Sequence, residues 1–479
     1  MSLLPGTLPN SAEIARFGAA LTAHIGMQFP EAKYDELGRV LHQRMEATGC
    51  DYATYIAQLD ALPGRAELAQ LARELTINET YFLRHSEQFD ALADVALPEC
   101  ARLAGSRPLQ ILSAGCASGE EAYSIAILLR ERYPQIAAGI TAFDLNPAVL
   151  KKAERGVYGN WSLRACPDET RARWFRRTGA EVELDASIRA MVRFEERNLA
   201  EPAPSFWMEA RFDLIFCRNL LMYFSPEQAQ TAVSRMAHAL VPHGYLFLGH
   251  AETLRGISSQ FHLCHTHEAF YYRRKDAQES QAGLQGASQV DPHAGASAGF
   301  LPLPKLLSGD TGWFDAITAA SARVHALIPT ASVHGAAPEA DLPDDGDTLL
   351  LKAVNASHDG RLDEAEALCR TLLAGDDMSA GAHYVLALCR EGRGQAADAF
   401  EHDRIAAYLD PGFAMPRLHM GLSLRRAGQR AAAKNELEAA ATLLQLEDPA
   451  RVLLFGGGFQ REALIALCRA ELDALEAKA

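Results

Sequence analysis

The sequence predicts an α/β fold: a doubly wound, mostly parallel sheet, preceded by a helical bundle and followed by a stack of helical repeats. Three observations carry that prediction. Between about Pro108 and Arg274, β-rich runs (LQILSAG, GITAFD, MVRFEER, FDLIFCRN, GYLFLG, AFYYRR) alternate with helical patterns, as strands joined by crossover helices do. From Ser11 to about Leu97, apolar residues recur at helical spacing, with turn signals at Gly49 and at Pro63 with Gly64. Beyond Gly346, Gly360, Gly394 and Gly428 are 34 residues apart.

The alternating region holds the chemistry. In ILSAGCASGEE, Ile111 to Glu121, an apolar strand ends in a loop with glycines at 115 and 119, and EEAYSIAILLRER then opens a helix. Glycines let the backbone approach a ligand closely, and a helix start offers unpaired N–H groups. The spacing is neither GxGxxG nor GxxxxGK[ST], so a phosphate cradle is missing and a nicotinamide oxidoreductase is a distant reading. The next strand, Ile140 to Phe143, ends in Asp144, placed to accept from ribose hydroxyls. Ribose without phosphate points to S-adenosylmethionine.

Composition narrows the class. A net charge of −15 without a basic stripe argues against a nucleic-acid partner. The nine cysteines include no CxxC pair, which suits a reducing compartment, and Cys264, His265 and His267 lack the second half of a metal site. MSLLPGTLPN has neither a basic start nor an apolar run, and no stretch of about 18 apolar residues follows; the expectation is a cytoplasmic protein.

After Lys275 the composition shifts to Ala, Gly, Ser, Pro, Gln and Asp, so 276–345 reads as a flexible linker with a short helix near DAITAASARVHAL. The period then extends to Ala365, Ala399 and Ala433, to Ala353, Ala387 and Gly421, and to Leu350, Tyr384 and Leu418. This resembles the tetratricopeptide (TPR) repeat, with units at about 346–379, 380–413 and 414–447 and a capping helix at about 461–477. The concave face of such a stack takes a helix or extended peptide, from an unknown partner or from this chain's own linker.

Three longer segments are more specific: ELTINETYFLRHSEQFDAL, ILSAGCASGEEAYSIA, and FDLIFCRNLLMYF followed by HALVPHGYLFLGHAE. Over residues 11–274 the chain resembles the CheR family of chemoreceptor glutamate methyltransferases. The resemblance implies a Rossmann-like S-adenosylmethionine-dependent methyltransferase domain over 98–275, with a small β subdomain near 173–194, and a receptor-recognition domain over 11–97. It also implies transfer of methyl to glutamates of methyl-accepting chemoreceptors, S-adenosylhomocysteine as product, and possible recruitment to receptor arrays. Cofactor-binding positions carried over are Asn78, Thr80, Arg84, Gly115, Glu120, Asp144, Asn198, Leu199, Arg218 and Asn219, with Glu120 preferred to Glu121 for the methionine ammonium. Tyr223 and Arg102 are the catalytic candidates, to orient and to neutralise the incoming carboxylate. His250 and Glu252 are expected to fix a loop.

Two departures from the family are visible. Residues 33–46 balance Lys33, Arg39 and Arg44 against Asp35, Glu36 and Glu46, so electrostatic docking on an acidic receptor is less assured. The subdomain at 173–194 is short, so docking is not expected to depend on a receptor tail peptide added as a strand. Alternative readings are a methyltransferase with another acceptor and a TPR scaffold with a decayed catalytic domain.

Overall fold

The computed structural model describes residues 9–61, 65–76, 79–276, 312–318 and 346–476. The chain divides into two compact units, one formed by residues up to 252 with 256–277, the other by the remainder.

The first unit opens with helices α1 (Ser11–Ile25), α2 (Tyr34–Thr48), α3 (Tyr52–Asp60) and α4 (Arg65–Leu75). A capping box starts α1, in which Asn10 Oδ1 accepts from Glu13 N–H and Glu13 Oε2 accepts from Asn10 N–H. Arg44, on α2, donates to both Glu67 oxygens on α4 at 2.9 and 2.6 Å, and Tyr55 Oη on α3 donates to the same carboxylate at 2.6 Å. Lys33 pairs with Glu36 at 3.0 Å. Of the three basic residues at 33–46, Arg44 is held between helices, whereas Lys33 and Arg39 make only local, exposed contacts, Arg39 donating to Asp35 O at 3.4 Å.

Helices α5 (Ser86–Ala91) and α6 (Leu97–Ala104), joined by a π-turn, lead into the sheet. Its seven strands lie in the order β6 (Val192–Glu196), β2 (Ala138–Asp144), β1 (Leu109–Ala114), β7 (Phe212–Cys217), β8 (Leu240–Leu248), β10 (Ala269–Arg274), β9 (Phe261–Thr266). The first five pair in parallel, and β10 and β9 close the edge as an antiparallel hairpin. Every residue of β7 is buried, as a parallel strand covered on both faces requires. Phe216 stacks on Phe247 across β7 and β8, with ring centroids 4.5 Å apart. The chain leaves β1 toward β2 on one side and β7 lies on the other, so the crevice at the C-terminal ends of β1, β2 and β7 is the switch point where such sheets take ligands.

Strand β9, which carries Cys264 and His265, is an element that sequence patterning did not anticipate. The small subdomain is a three-stranded sheet in the order β3 (Val157–Tyr158), β5 (Glu181–Leu184), β4 (Phe175–Thr178). Only Gly179 and Ala180 separate β4 from β5, with Gly179 at φ +66°.

In the second unit, the repeat helices are Gly346–His358 and Leu362–Gly375, Ala380–Gly392 and Ala396–Leu409, Ala414–Arg426 and Arg430–Leu446. Gly360, Gly394 and Gly428 adopt φ +75°, +75° and +76°, the same left-handed turn three times. Ala365, Ala399 and Ala433 are buried. A helix at Pro449–Phe455, not expected from the sequence, precedes the final helix Arg461–Glu476. Within the stretch expected to be a linker, residues 313–318 are helical, and 277–311 and 319–345 lie outside the described residues.

Candidate active site

The loop after β1 follows the backbone rules that its glycines suggested. Gly115 at φ +72° donates its N–H to Phe143 O at 2.9 Å, and Gly119 at φ +89° caps α7 (Glu120–Arg132). A Cβ at Gly115 would stand 2.9 Å from Leu220 Cδ2, and one at Gly119 would stand 2.9 Å from Ala153 Cβ. Neither position has room for a side chain.

Two clefts meet at this loop and share Gly115, Ala117, Arg218 and Asn219. One is mainly apolar, lined by Ile25, Met27, Phe143, Leu199, Leu220 and Phe224, with Asp144 on its wall. The other is charged, lined by Glu79, Thr80, Tyr81, Arg84, Glu121 and Arg218. Together they make a trough graded from charged to apolar.

The charged end is built on β1, α7 and β7. Glu121 accepts from Ser113 Oγ at 2.7 Å and lies 3.6 Å from Arg218 Nη1. Burial raises the Glu121 pKa, and Arg218 and the Ser113 hydroxyl pull against that rise. Arg218 donates to Arg84 O at 2.6 Å, and its Nε is buried without a hydrogen-bond partner among the described residues. The segment carrying Thr80 and Arg84 is anchored by Phe82, fully buried and edge-on to Tyr158 and Phe175 at 4.9 and 5.0 Å. His85 follows at φ +60°, its ring 4.5 Å from that of His250. Burial, then the Arg218 charge, push His85 down to about 4, so it is neutral at pH 7.

At the middle of the trough, Asp144 accepts from Ala117 N–H at 2.9 Å and Asn146 N–H at 2.8 Å. Burial raises its pKa, and these backbone donors oppose the rise. At the apolar end, Asn198 donates to His24 O at 2.7 Å and accepts from Ala200 N–H at 2.9 Å. One amide hydrogen and one lone pair remain for a ligand. Tyr223 is half-buried on the wall of the apolar cleft, and its carbonyl accepts from Gln28 N–H at 2.6 Å. Helix α1 is thus tied to the loops after β6 and β7.

The loop after β7 is gathered by one carboxylate. Glu252 accepts from the N–H groups of Asn219 at 2.7 Å, Leu220 at 2.9 Å, Met222 at 3.2 Å and Gly249 at 2.7 Å. This holds Asn219 at φ +58° beside Gly115. The loop-fixing role expected of Glu252 matches this geometry, whereas His250 packs on His85.

Thr80, Arg84, Gly115, Asp144, Asn198, Leu199, Arg218, Asn219 and Tyr223 therefore line one trough. Asn78 lies outside the described residues. Two expectations are corrected. Glu120 is 1 % exposed and turned inward, where Ser118 Oγ donates to it at 2.7 Å and Ser162 Oγ at 3.1 Å; the carboxylate facing the trough is Glu121. Arg102 is exposed near the end of α6, which leads into the N-terminal end of β1, opposite the strand ends that form the trough. Of the residues lining the charged cleft, sequence reasoning ranked Glu121 second to Glu120 and passed over Tyr81, which lies within the TYFLRH segment.

The model of the CheR methyltransferase S-adenosylmethionine-binding domain matches residues 78–270. Along most of its length the chain is similar to a probable biofilm formation methyltransferase, WspC, of Pseudomonas aeruginosa, with 30 % identity covering 89 % of this chain and 98 % of that one. The chain belongs to the CheR methyltransferase family. Chemotaxis protein methyltransferases of Vibrio parahaemolyticus and Vibrio cholerae are 36 % and 34 % identical to it and match 45 % and 52 % of this chain, which are 80 % and 88 % of theirs.

This CheR-family chain is an S-adenosylmethionine-dependent methyltransferase, and the graded trough fits the cofactor. A carboxylate at one end suits an ammonium, an unpartnered guanidinium Nε beside it suits a carboxylate, and the apolar end suits a flat base. The bound cofactor supplies a sulfonium-activated methyl group. The protein's part is to exclude water and to align the acceptor. A glutamate, with a reference pKa near 4.3, is already ionised at neutral pH and needs no strong base.

Proposed function

We propose that this chain forms glutamyl methyl esters on the cytoplasmic helices of a methyl-accepting chemoreceptor, with Tyr223 orienting the incoming carboxylate. The observation that carries the reading is its similarity, over its catalytic part, to chemotaxis methyltransferases across 80–88 % of their lengths. In this reading Glu121 holds the methionine ammonium, Arg218 its carboxylate, Asp144 the ribose, and Asn198 and Leu199 the adenine. Thr80, Arg84, Asn78 and Asn219 complete the cofactor contacts. Tyr223 stands on the wall where the trough is lined by the loop after β7, and a single hydroxyl positions a carboxylate without blunting it as a nucleophile.

Similarity over both units to a relative named for biofilm formation supports an output other than swimming. Among the described residues no helix is long and apolar enough to cross a membrane.

The test is transfer of labelled methyl from S-adenosylmethionine to the cytoplasmic fragment of a chemoreceptor from the same cell. Label released as methanol by mild base supports the reading. Cofactor binding without label on any such receptor fragment rejects it in favour of another acceptor.

A further inference from the structure

The repeat unit encloses a short piece of its own chain. Residues 312–318, Gly-Trp-Phe-Asp-Ala-Ile-Thr, run against the first helix of the second repeat, the turn of the first repeat and the 456–459 turn. Trp313 is 1 % exposed, donates from Nε1 to Tyr384 Oη at 2.9 Å, and packs beside Phe459 with ring centroids 6.0 Å apart. Phe314 fills the space left by Gly392, where a Cβ would stand 2.7 Å from its ring, and Ile317 fills that left by Gly457, at 2.8 Å. Thr318 reaches the Gly360 turn. The backbone N–H of Phe314 donates to Glu391 Oε2 at 2.8 Å, and Glu391 is held in turn by His419 and Arg426 of the third repeat.

The anchors stand at positions i, i+1 and i+4 of one helical turn, the spacing with which a short amphipathic helix seats in a groove. The receiving side is shaped for them by two glycines, one tyrosine hydroxyl and one buried carboxylate, contributed by several separate helices and turns. Such a site reads a peptide by its side chains and by its helix start.

We propose that residues 312–318 are a tethered ligand of the repeat groove, so that a partner presenting a Trp-Phe-x-x-Ile helix binds only by displacing this segment. Covalent attachment supplies an effective concentration on the order of 1 mM, so a free peptide with a Kd of about 10 μM would bind the intact chain about 100-fold more weakly than it binds an emptied groove.

The test uses a fluorescein-labelled peptide spanning residues 308–322, titrated by anisotropy against the full chain and against the full-chain double variant Trp313→Ala, Phe314→Ala. Binding to the variant at least about 30-fold tighter than to the unmodified chain is expected from that competition. Equal binding to the two overturns the proposal, as does no binding to a variant that keeps its helical circular dichroism. Should the variant not fold, a second form settles the matter: the unmodified sequence with a protease site inserted between 325 and 340, cut and assayed at nanomolar concentration. Cutting removes the tether, so peptide affinity rises if the segment is a ligand; unchanged affinity overturns the proposal.

Discussion

Glu120 and Glu121 are adjacent and chemically identical, yet side chains of neighbouring residues leave a helix about 100° apart. One therefore meets two serine hydroxyls in the interior and the other meets Ser113, Arg218 and the trough. Glu121→Gln should weaken S-adenosylmethionine binding by about 10- to 100-fold, the worth of about 1.5–3 kcal/mol for a hydrogen bond to a charged group. Glu120→Gln should instead lower stability by about 1–3 kcal/mol and change affinity by less than about 3-fold. Calorimetric titration with S-adenosylhomocysteine, beside thermal melts, separates the two. Tyr223→Phe keeps the ring that lines the cleft and removes only the hydroxyl, so turnover should fall more than cofactor affinity does. Equal losses in single-turnover rate and cofactor Kd would count against an orienting role.

Among elements, the third repeat departs from the other two at a recurring small position. Where they carry Ala353 and Ala387 it has Gly421, and a Cβ there would stand 2.7 Å from Leu437 Cγ on the paired helix. Replacing a helical glycine by alanine normally gains about 1 kcal/mol of propensity, but overpacking a tight helix contact costs about 1–3 kcal/mol. The second effect should win, and Gly421→Ala should lower the unfolding midpoint of the repeat unit in urea.

The same unit holds a buried ionic group. His419 lies 2.9 Å from Glu391 and 2.7 Å from Asp403. Burial opposes the His419 charge, but the two carboxylates outweigh it and keep the ring protonated above its ordinary range. Burial likewise opposes the Glu391 charge, and the bond and charge of His419, the charge of Arg426 and the Phe314 N–H bring it down to about 2 from 4.5. A depressed carboxylate adds stability above its unfolded pKa and loses it as pH falls through the folded one. The stability gap between the unmodified chain and Glu391→Gln should therefore be full above about pH 4.5 and close as pH approaches 2. Melts across that range check it.

For the whole molecule, two units with separate buried cores should unfold as two cooperative transitions. S-adenosylhomocysteine at about 100 times its Kd should stabilise only the first unit, by about 2.7 kcal/mol, and leave the repeat transition in place. Differential scanning calorimetry with and without ligand reads both at once, and a shift of both transitions would reject the assignment.

How much of this was legible in the sequence follows from the range of each interaction. The alternation of β-rich runs and helices, the glycines at 115 and 119 and the 34-residue period are local constraints: a pleat or helix repeats within a few residues, and a left-handed turn needs glycine wherever it falls. These determined the sheet, the ligand end of the sheet and the repeat stack. The direction of Glu120, the exposed place of Arg102 at the far end of the sheet, the gathering of four backbone N–H groups by Glu252 and the seating of Trp313 against Tyr384 depend on residues distant in sequence. Only the packed structure decided them, because a side chain's partners are set by which surfaces meet: Ser118 is two residues from Glu120 and Gly249 three from Glu252, but Ser162, Asn219, Leu220, Met222 and Tyr384 are brought to their partners from far along the chain.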